Sequence, residues 1–164
     1  MDEQEIIVEI RRLSAQYEDE PEFAGPVSDD VIEAAERELG VRFPKSYRAF
    51  LRHLGAAIMF SDYFDGLSPH PPGNGKSASS YFTNVVESTK RAWLGATGHG
   101  HGTPRNLITL SSDGGDYFYY IDISKRDDRG ECPIVVIGPG ADELVVADDF
   151  LDFVRKLAHD DPLF

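Results

Sequence analysis

The chain has 164 residues, of which 41% are hydrophobic and 27% are charged, and this predicts a single globular domain over residues 1–164. Its 29 acidic residues outnumber the 16 basic ones and give a formal charge of -13, which disfavours direct nucleic-acid binding because phosphates require Lys and Arg. No apolar run approaches the roughly 20 residues of a membrane helix, and the single Cys132 cannot form an internal disulfide, so we expect a cytoplasmic protein without membrane association.

Two amphipathic helices are predicted near the N-terminus. The first covers residues 3–19, because apolar residues recur there at three- and four-residue spacings: Ile6, Ile7, Ile10, Leu13 and Tyr17. Ser28 is a suitable N-cap for the second helix, and Gly40 is a suitable residue to end it. The inner face of the second helix is predicted to hold Val31, Ile32, Ala35 and Leu39.

A third helix follows a short apolar connection that ends in Pro44. Proline suits the first turn of a helix, because its missing N–H would have no partner there. Apolar and aromatic residues then recur at i, i+3, i+4 and i+7, namely Tyr47, Phe50, Leu51 and Leu54. Such a stripe is typical of a core, and we interpret the segment Glu38 to Gly55 as framework.

The middle of the chain gives weaker signals. AAIMF, at residues 56–60, fits a short buried strand. Ser68 to Ser80 is rich in Pro, Gly and Ser and is predicted to be a loop. Helical spacing returns from Thr83 to Trp93, and another glycine-rich loop follows it.

The last third of the chain changes to the period of β-strands. LITLS at 107–111 and YFYYID at 117–122 flank SDGGD and predict a hairpin. Two more strands, PIVVI at 133–137 and ELVVA at 143–147, precede a final helix that Asp148 or Asp149 caps. Helices first and strands later predict an α+β fold with a largely antiparallel β-sheet flanked by helices.

Three segments resemble the SUKH superfamily, the Smi/Knr-like proteins. They are IEAAERELGVRFPKSYRAFL, LITLSSDGGDYFYYID and ADDFLDFVRKL, and they lie between Ser28 and Leu157 in the order that the family shows. The resemblance implies an α+β fold whose antiparallel sheet is flanked by helices. It also implies a function in binding proteins: many bacterial members are immunity proteins that neutralise a cognate toxin, often a nuclease, and fungal relatives regulate cell-wall synthesis and signalling.

The acidic composition fits the immunity function suggested by the resemblance. A nuclease toxin presents a basic cleft to phosphates, so an acidic inhibitor would approach it quickly and bind it through complementary potential. The expected partner is therefore a basic toxin domain. The alternative is a regulatory or scaffold domain that binds endogenous proteins, and the oligomeric state is left open.

The candidate partner contacts are acidic residues near turns and the aromatic residues beside them. The acidic candidates are Asp62, Asp65, Asp113, Asp116, Asp142 and Glu143. Aromatic side chains anchor interfaces more strongly than charges at the rim, and the aromatic candidates are Tyr63, Phe64, Tyr117 and Tyr119. Tyr117 and Tyr119 share one face of their strand, but the alternation does not say which face is buried.

Signals for catalysis, cofactors or metals are incomplete. GNGKS at 73–77 lacks the first glycine of a phosphate loop. His99 and His101 have no nearby Cys or carboxylate to complete a zinc site, and Asp113, Asp116 and Asp122 lack the spacing of a calcium loop. Cys132 is expected to be a small, partly buried apolar residue. We therefore expect no enzymatic activity, no cofactor and no metal.

Overall fold

The computed structural model describes residues 1–69, 82–95 and 101–164. They form a seven-stranded sheet in which the strands follow the order of the chain and neighbouring strands are antiparallel. The strands are β1 (Glu22–Phe23), β2 (Ala57–Met59), β3 (Asp62–Phe64), β4 (Leu107–Ser112), β5 (Phe118–Asp122), β6 (Ile134–Gly138) and β7 (Ala141–Ala147). The helices are α1 (Glu3–Ala15), α2 (Asp29–Leu39), α3 (Lys45–Leu54), α4 (Val85–Trp93) and α5 (Phe150–Ala158). This arrangement confirms the predicted α+β fold class.

Helices cover the two faces of the sheet unequally. Helices α1, α3 and α5 contact one another, and α5 packs on β7. Together with one face of the sheet they enclose the main core, whose aromatic centre contains Tyr47, Phe50, Phe64, Phe150 and Phe153. Helix α4 packs against β4 and contributes to a smaller, separate core around Leu107, Tyr120 and Val135.

Helix α3 has the orientation that its sequence predicts. Tyr47, Phe50, Leu51 and Leu54 are each 0% exposed, and this burial confirms the segment as framework. The Glu131 carboxylate accepts hydrogen bonds from the backbone N–H and the hydroxyl of Ser46, both at 3.0 Å. These bonds tie the first turn of α3 to the connection between β5 and β6.

Two of the predicted helices differ in detail. Helix α1 ends at Ala15, and Tyr17 lies beyond it with its ring packed edge-on against Phe60. Val31 was predicted to face inward but is 42% exposed, whereas Ile32, Ala35 and Leu39 are buried as predicted. Since consecutive residues on a helix lie about 100° apart, the buried stripe of α2 includes Ile32 and leaves Val31 outside.

Helix α4 begins two residues later than its spacing suggests. The side chain of Asn84 accepts hydrogen bonds from the backbone N–H groups of Val86 and Glu87 and fixes the N-terminus at Val85. At its exposed side, Lys90 lies 2.5 Å from Glu38 and links α4 to α2.

The short strands β1 and β3 were not predicted, because two or three residues are too few to show a period. Most of the predicted loop from Ser68 to Ser80, the whole of GNGKS, and His99 lie outside the described residues. In the described ranges, no helix combines the length and the apolar character that crossing a membrane requires.

Candidate functional site

Three β-hairpins turn at the same end of the sheet. Because consecutive strands are antiparallel neighbours, successive connections alternate between the two ends of the sheet. The turns at residues 60–61, 113–117 and 139–140 therefore lie together, and we call them, with the adjoining strand residues, the hairpin end. Seven of the ten residues predicted as partner contacts occupy it with exposed or half-buried side chains: Asp62, Tyr63, Asp113, Asp116, Tyr117, Asp142 and Glu143.

The first turn at this end uses two consecutive residues in the left-handed region. Phe60 has φ 56° and Ser61 has φ 64°, which is the backbone that a tight hairpin requires at both central positions. This conformation is uncommon for a bulky residue, and here the ring of Phe60 is buried between Tyr17 and Phe64. Ser61 also donates a hydrogen bond to Asp19 at 2.9 Å, which places another carboxylate beside the turn.

The second and third turns are fastened to each other by Tyr117. Its hydroxyl donates a hydrogen bond to the backbone oxygen of Pro139 at 2.9 Å. Its ring lies so close to Gly138 that a Cβ atom there would come within 2.3 Å of the ring atom Cδ1. Within its own turn, Asp113 accepts hydrogen bonds from the backbone N–H groups of Gly115 and Tyr117. The two hairpins therefore form one connected surface.

Three of the predicted contacts, Phe64, Asp65 and Tyr119, have their side chains inside the protein. Tyr119 is 7% exposed and packs on Phe153 with ring centroids 5.1 Å apart. Asp65 is 9% exposed, and the neighbouring Phe64 is fully buried. These residues belong to the support of the hairpin end and to the cleft described below rather than to its outer surface.

Negative charges at the hairpin end affect one another. Burial and the negative charge of Asp113 raise the pKa of Asp62 to about 6. Burial, together with the charges of Asp113 and Asp62, raises the pKa of the Tyr119 hydroxyl to about 12. The negative charge of Asp113 therefore makes ionisation of Asp62 less favourable.

The acidic residues of the hairpin end lack cationic partners within the described part of the chain. None of Asp62, Asp113, Asp116, Asp142 and Glu143 takes part in an ion pair there. Arginines on the helical side are paired instead, as in the contacts of Arg48 with Glu36, Arg52 with Asp29 and Arg155 with Glu9. These five carboxylates of the hairpin end therefore have no counter-charge among the described residues.

A cleft of about 310 Å³ opens beside the hairpin end, between α4 and strands β3, β4 and β5. Tyr63 and Phe118 are among the residues that line it, and Arg91 of α4 also borders it. Its lining also includes two buried side chains that can titrate, Tyr120 at 1% exposure and Asp65 at 9%. The backbone of Asp65 is held by the Tyr47 hydroxyl, which donates to its carbonyl oxygen at 2.6 Å.

The buried groups of the cleft have altered acidity. Burial raises the pKa of Asp65 to about 6, although the neighbouring hydroxyls of Thr83 and Thr109 act in the opposite direction. Burial and the charge of Asp65 raise the pKa of Tyr120 to about 12. Tyr120 and Thr83 were not predicted as members of a site. The alternation on β5 separates Tyr120 from Tyr119, but it could not show that both faces of this strand are covered.

The described residues contain no group of three or more His, Cys, Asp or Glu side chains arranged to hold a metal ion. Cys132 is buried, as expected, and burial raises the pKa of its thiol to about 11. Since the thiolate is the reactive form of cysteine, this thiol is not activated as a nucleophile.

A known protein family matches most of the chain. The model of the SMI1 / KNR4 family (SUKH-1) matches residues 26–156. No curated protein matches the chain at a significant level. The matched region begins just before α2 and continues into α5, so it contains all three hairpins and the cleft.

Proposed function

The chain belongs to the SMI1 / KNR4 family (SUKH-1), and we propose that it is an immunity protein that binds and neutralises a cognate bacterial toxin without catalysing a reaction. The family includes toxin-immunity proteins and Smi1/Knr4-like regulators. The toxin we propose is a basic, nuclease-type domain, and the place of action is the cytoplasm.

The uncompensated negative charge of the hairpin end is the observation that carries this proposal. A nuclease needs positive charge to hold phosphates, so its active face and the hairpin end would have complementary potentials. Such complementarity accelerates association and fixes the orientation of the partners. The close pair Asp62 and Asp113 would lose its mutual repulsion when a cation of the partner comes between or beside the two carboxylates.

An exposed aromatic residue beside the acidic groups supplies the second element of an interface. Tyr63 is 47% exposed, follows Asp62 in β3 and lines the cleft. Aromatic side chains that become buried on association contribute much of the binding energy of protein interfaces, whereas exposed rim charges mainly affect the association rate. We therefore assign Tyr63 to anchoring and the surrounding carboxylates to steering.

Co-expression tests the proposal. The chain would be produced together with a toxin-like domain encoded beside its gene, and growth and complex formation would be measured. We expect restored growth and a complex that co-elutes in size-exclusion chromatography. Toxicity that persists at full expression of the chain, without a complex, would contradict the immunity function.

Paired charge reversals make the same experiment specific for the surface. Asp116→Lys with Asp142→Lys changes the hairpin end, and neither side chain forms a hydrogen bond or ion pair in the described residues. The matched control, Asp128→Lys with Asp148→Lys, changes net charge equally at the opposite end of the sheet. Loss of protection with the first pair alone is the expected result, and equal loss with both would mean that net charge matters rather than the hairpin end.

The regulatory alternative rests on the second group of proteins in the family. A domain of that kind would bind endogenous proteins through the same exposed groups. If the chain captures one endogenous protein rather than a toxin, regulation would be favoured over immunity. This capture should be lost with Asp116→Lys and Asp142→Lys and kept with the control pair.

A further inference from the structure

The cleft beside Tyr63 holds a buried polar group that has no partner among residues 1–69, 82–95 and 101–164. Tyr120 is 1% exposed, and its hydroxyl forms no hydrogen bond with any of these residues. Most buried polar groups in proteins are hydrogen-bonded, and one without a partner weakens the folded state. Since Tyr120 lines the cleft, a molecule that enters it can supply the missing bond.

The carboxylate of the cleft has neighbouring threonine hydroxyls but no counter-charge among the described residues. Asp65 forms no ion pair with a Lys, Arg or His of residues 1–69, 82–95 or 101–164. Arg91 borders the cleft, but it is exposed on α4 and does not approach Asp65 within ion-pair distance. Burial accordingly raises the pKa of Asp65 to about 6. At neutral pH the cleft therefore has a buried carboxylate that needs a counter-charge.

The mouth of the cleft is suited to a cation. Tyr63 and Phe118 line it, and the faces of aromatic rings attract ammonium and guanidinium groups. The volume of about 310 Å³ is at the lower limit of ligand pockets, which range from about 300 to 1,000 Å³. That space suits one long side chain better than a nucleotide-sized cofactor.

We propose that the cleft receives an arginine side chain of the protein partner, with Asp65 as the counter-charge and Tyr120 as a second hydrogen-bond partner. A guanidinium carries five donors in a plane, so it can reach the carboxylate and the hydroxyl together while its stem lies between Tyr63 and Phe118. A lysine carries a compact charge and would leave more of these oxygens unbonded. The identification of the occupant as part of a basic protein rests on the proposed function.

A small probe tests the cleft without the partner. N-acetylarginine methylamide would be titrated into the protein and followed through the ring resonances of Tyr63, Phe118 and Tyr120 by NMR. N-acetylcitrulline methylamide is the control, because it has nearly the same shape without the charge. We expect saturable shifts at these rings and binding at least about tenfold weaker for citrulline, as a charge-assisted bond is lost. Equal binding of the two probes, or no shift at these rings, overturns the proposal.

Two variants test which residues contribute to arginine binding, and a third serves as the control. Asp65→Asn keeps the shape of the side chain and should abolish the preference for arginine over citrulline. Tyr63→Ala changes an exposed residue and should weaken arginine binding without disturbing the fold. Leu94→Ala, at a residue that is 79% exposed on the far end of α4, should leave arginine binding unchanged. Retention of the arginine preference by Asp65→Asn would contradict the assignment of the counter-charge.

The same variants separate this inference from the immunity function. A toxin complex that forms equally well with Asp65→Asn would be consistent with the immunity function but would refute the cleft as the arginine site. If arginine binding depends on Asp65 but the protein protects against no toxin, the arginine site would stand and the immunity function would be refuted.

Discussion

Asp62 and Asp113 stand on neighbouring hairpins, and together with burial the negative charge of Asp113 raises the pKa of Asp62 to about 6. They are far apart in the sequence and become neighbours because β3 pairs with β4. No cation in the described residues pairs with either one. This pair links two turns of the hairpin end through their negative charges.

Replacing Asp113 with asparagine should lower the pKa of Asp62. Asp113→Asn keeps an oxygen that can accept from Gly115 and Tyr117, so the turn should be preserved. We expect the pKa of Asp62 to fall from about 6 toward its usual 3.8, but only part of the way, because burial is the larger cause. The pKa of Asp62 would be measured by NMR titration of its carboxyl carbon. Asp116→Asn is the control, and an Asp62 pKa that stays constant in Asp113→Asn would show that the two groups do not interact.

The buried Asp65 should make the free protein less stable at neutral pH. Its pKa is about 6 in the folded protein and ordinarily 3.8, so the folded state binds the proton more tightly. The stabilisation from protonating Asp65 is fully present below the unfolded pKa of 3.8 and is lost as the pH rises through about 6. Each unit of difference between the folded and unfolded pKa corresponds to about 1.4 kcal/mol, so the free energy of unfolding falls by roughly 2–3 kcal/mol.

Asp65→Asn tests this expectation through urea unfolding at several pH values. Removing the charge should raise the free energy of unfolding at pH 7 by about 1–3 kcal/mol, and this advantage should shrink as the pH falls from about 6 to about 4 and vanish below that. Greater stability with weaker binding is the pattern of a residue retained for function. An asparagine variant that is less stable than the parent at pH 7 would instead indicate that the carboxylate has a stabilising partner inside the protein.

Contact between Tyr117 and Gly138 should be sensitive to a single methyl group. In Gly138→Ala the new Cβ would lie 2.3 Å from Tyr117 Cδ1, so the ring must move and its hydrogen bond to Pro139 should be lost. We expect a loss of about 1–3 kcal/mol in unfolding free energy, measured by thermal and urea denaturation. Tyr117→Phe, which removes only the hydroxyl, should cost about 1 kcal/mol. Stability of Gly138→Ala equal to the parent would mean that the two turns are not tightly joined.

Charge at the hairpin end should control how quickly a basic toxin is captured. With Asp116→Lys and Asp142→Lys, we expect the association rate constant to fall by about tenfold or more at low salt and its salt dependence to weaken. Dissociation should change less, because exposed charges act mainly on encounter. Stopped-flow fluorescence across a salt series measures both rates. An association rate that falls as much with Asp128→Lys and Asp148→Lys would assign the effect to total charge.

Much of the helical framework could be predicted because its signals are local. Ser28 and Gly40 bound α2 as expected, and the stripe of α3 is buried residue for residue. The errors occur where local signals are ambiguous: Tyr17 lies after the end of α1, and Val31 borders the buried stripe without belonging to it. The hairpin between β4 and β5 could also be predicted, since its turn residues and alternation lie within one short segment.

The candidate site could be predicted only in part. Sequence identified most of the acidic and aromatic groups near turns, but it could not distinguish Asp62, which stays half-exposed, from Asp65 three residues later, which is buried. Burial depends on which elements cover a residue, and the cover of Asp65 comes from α4 and β4. The unpartnered Tyr120 hydroxyl likewise arises from the packing of distant segments.

By itself, the sequence determined the α+β class, the buried faces of most helices and the excess of negative charge. Periodicity and capping depend on a few neighbouring residues, and net charge depends only on composition. Tertiary structure decided which carboxylates share the hairpin end and which lie in a cleft. The pairing of consecutive antiparallel strands brings three separated turns to one end of the sheet, and α4 covers only part of the adjacent face. Those long-range contacts give the carboxylates of similar turns different surroundings, and therefore different acidity and accessibility.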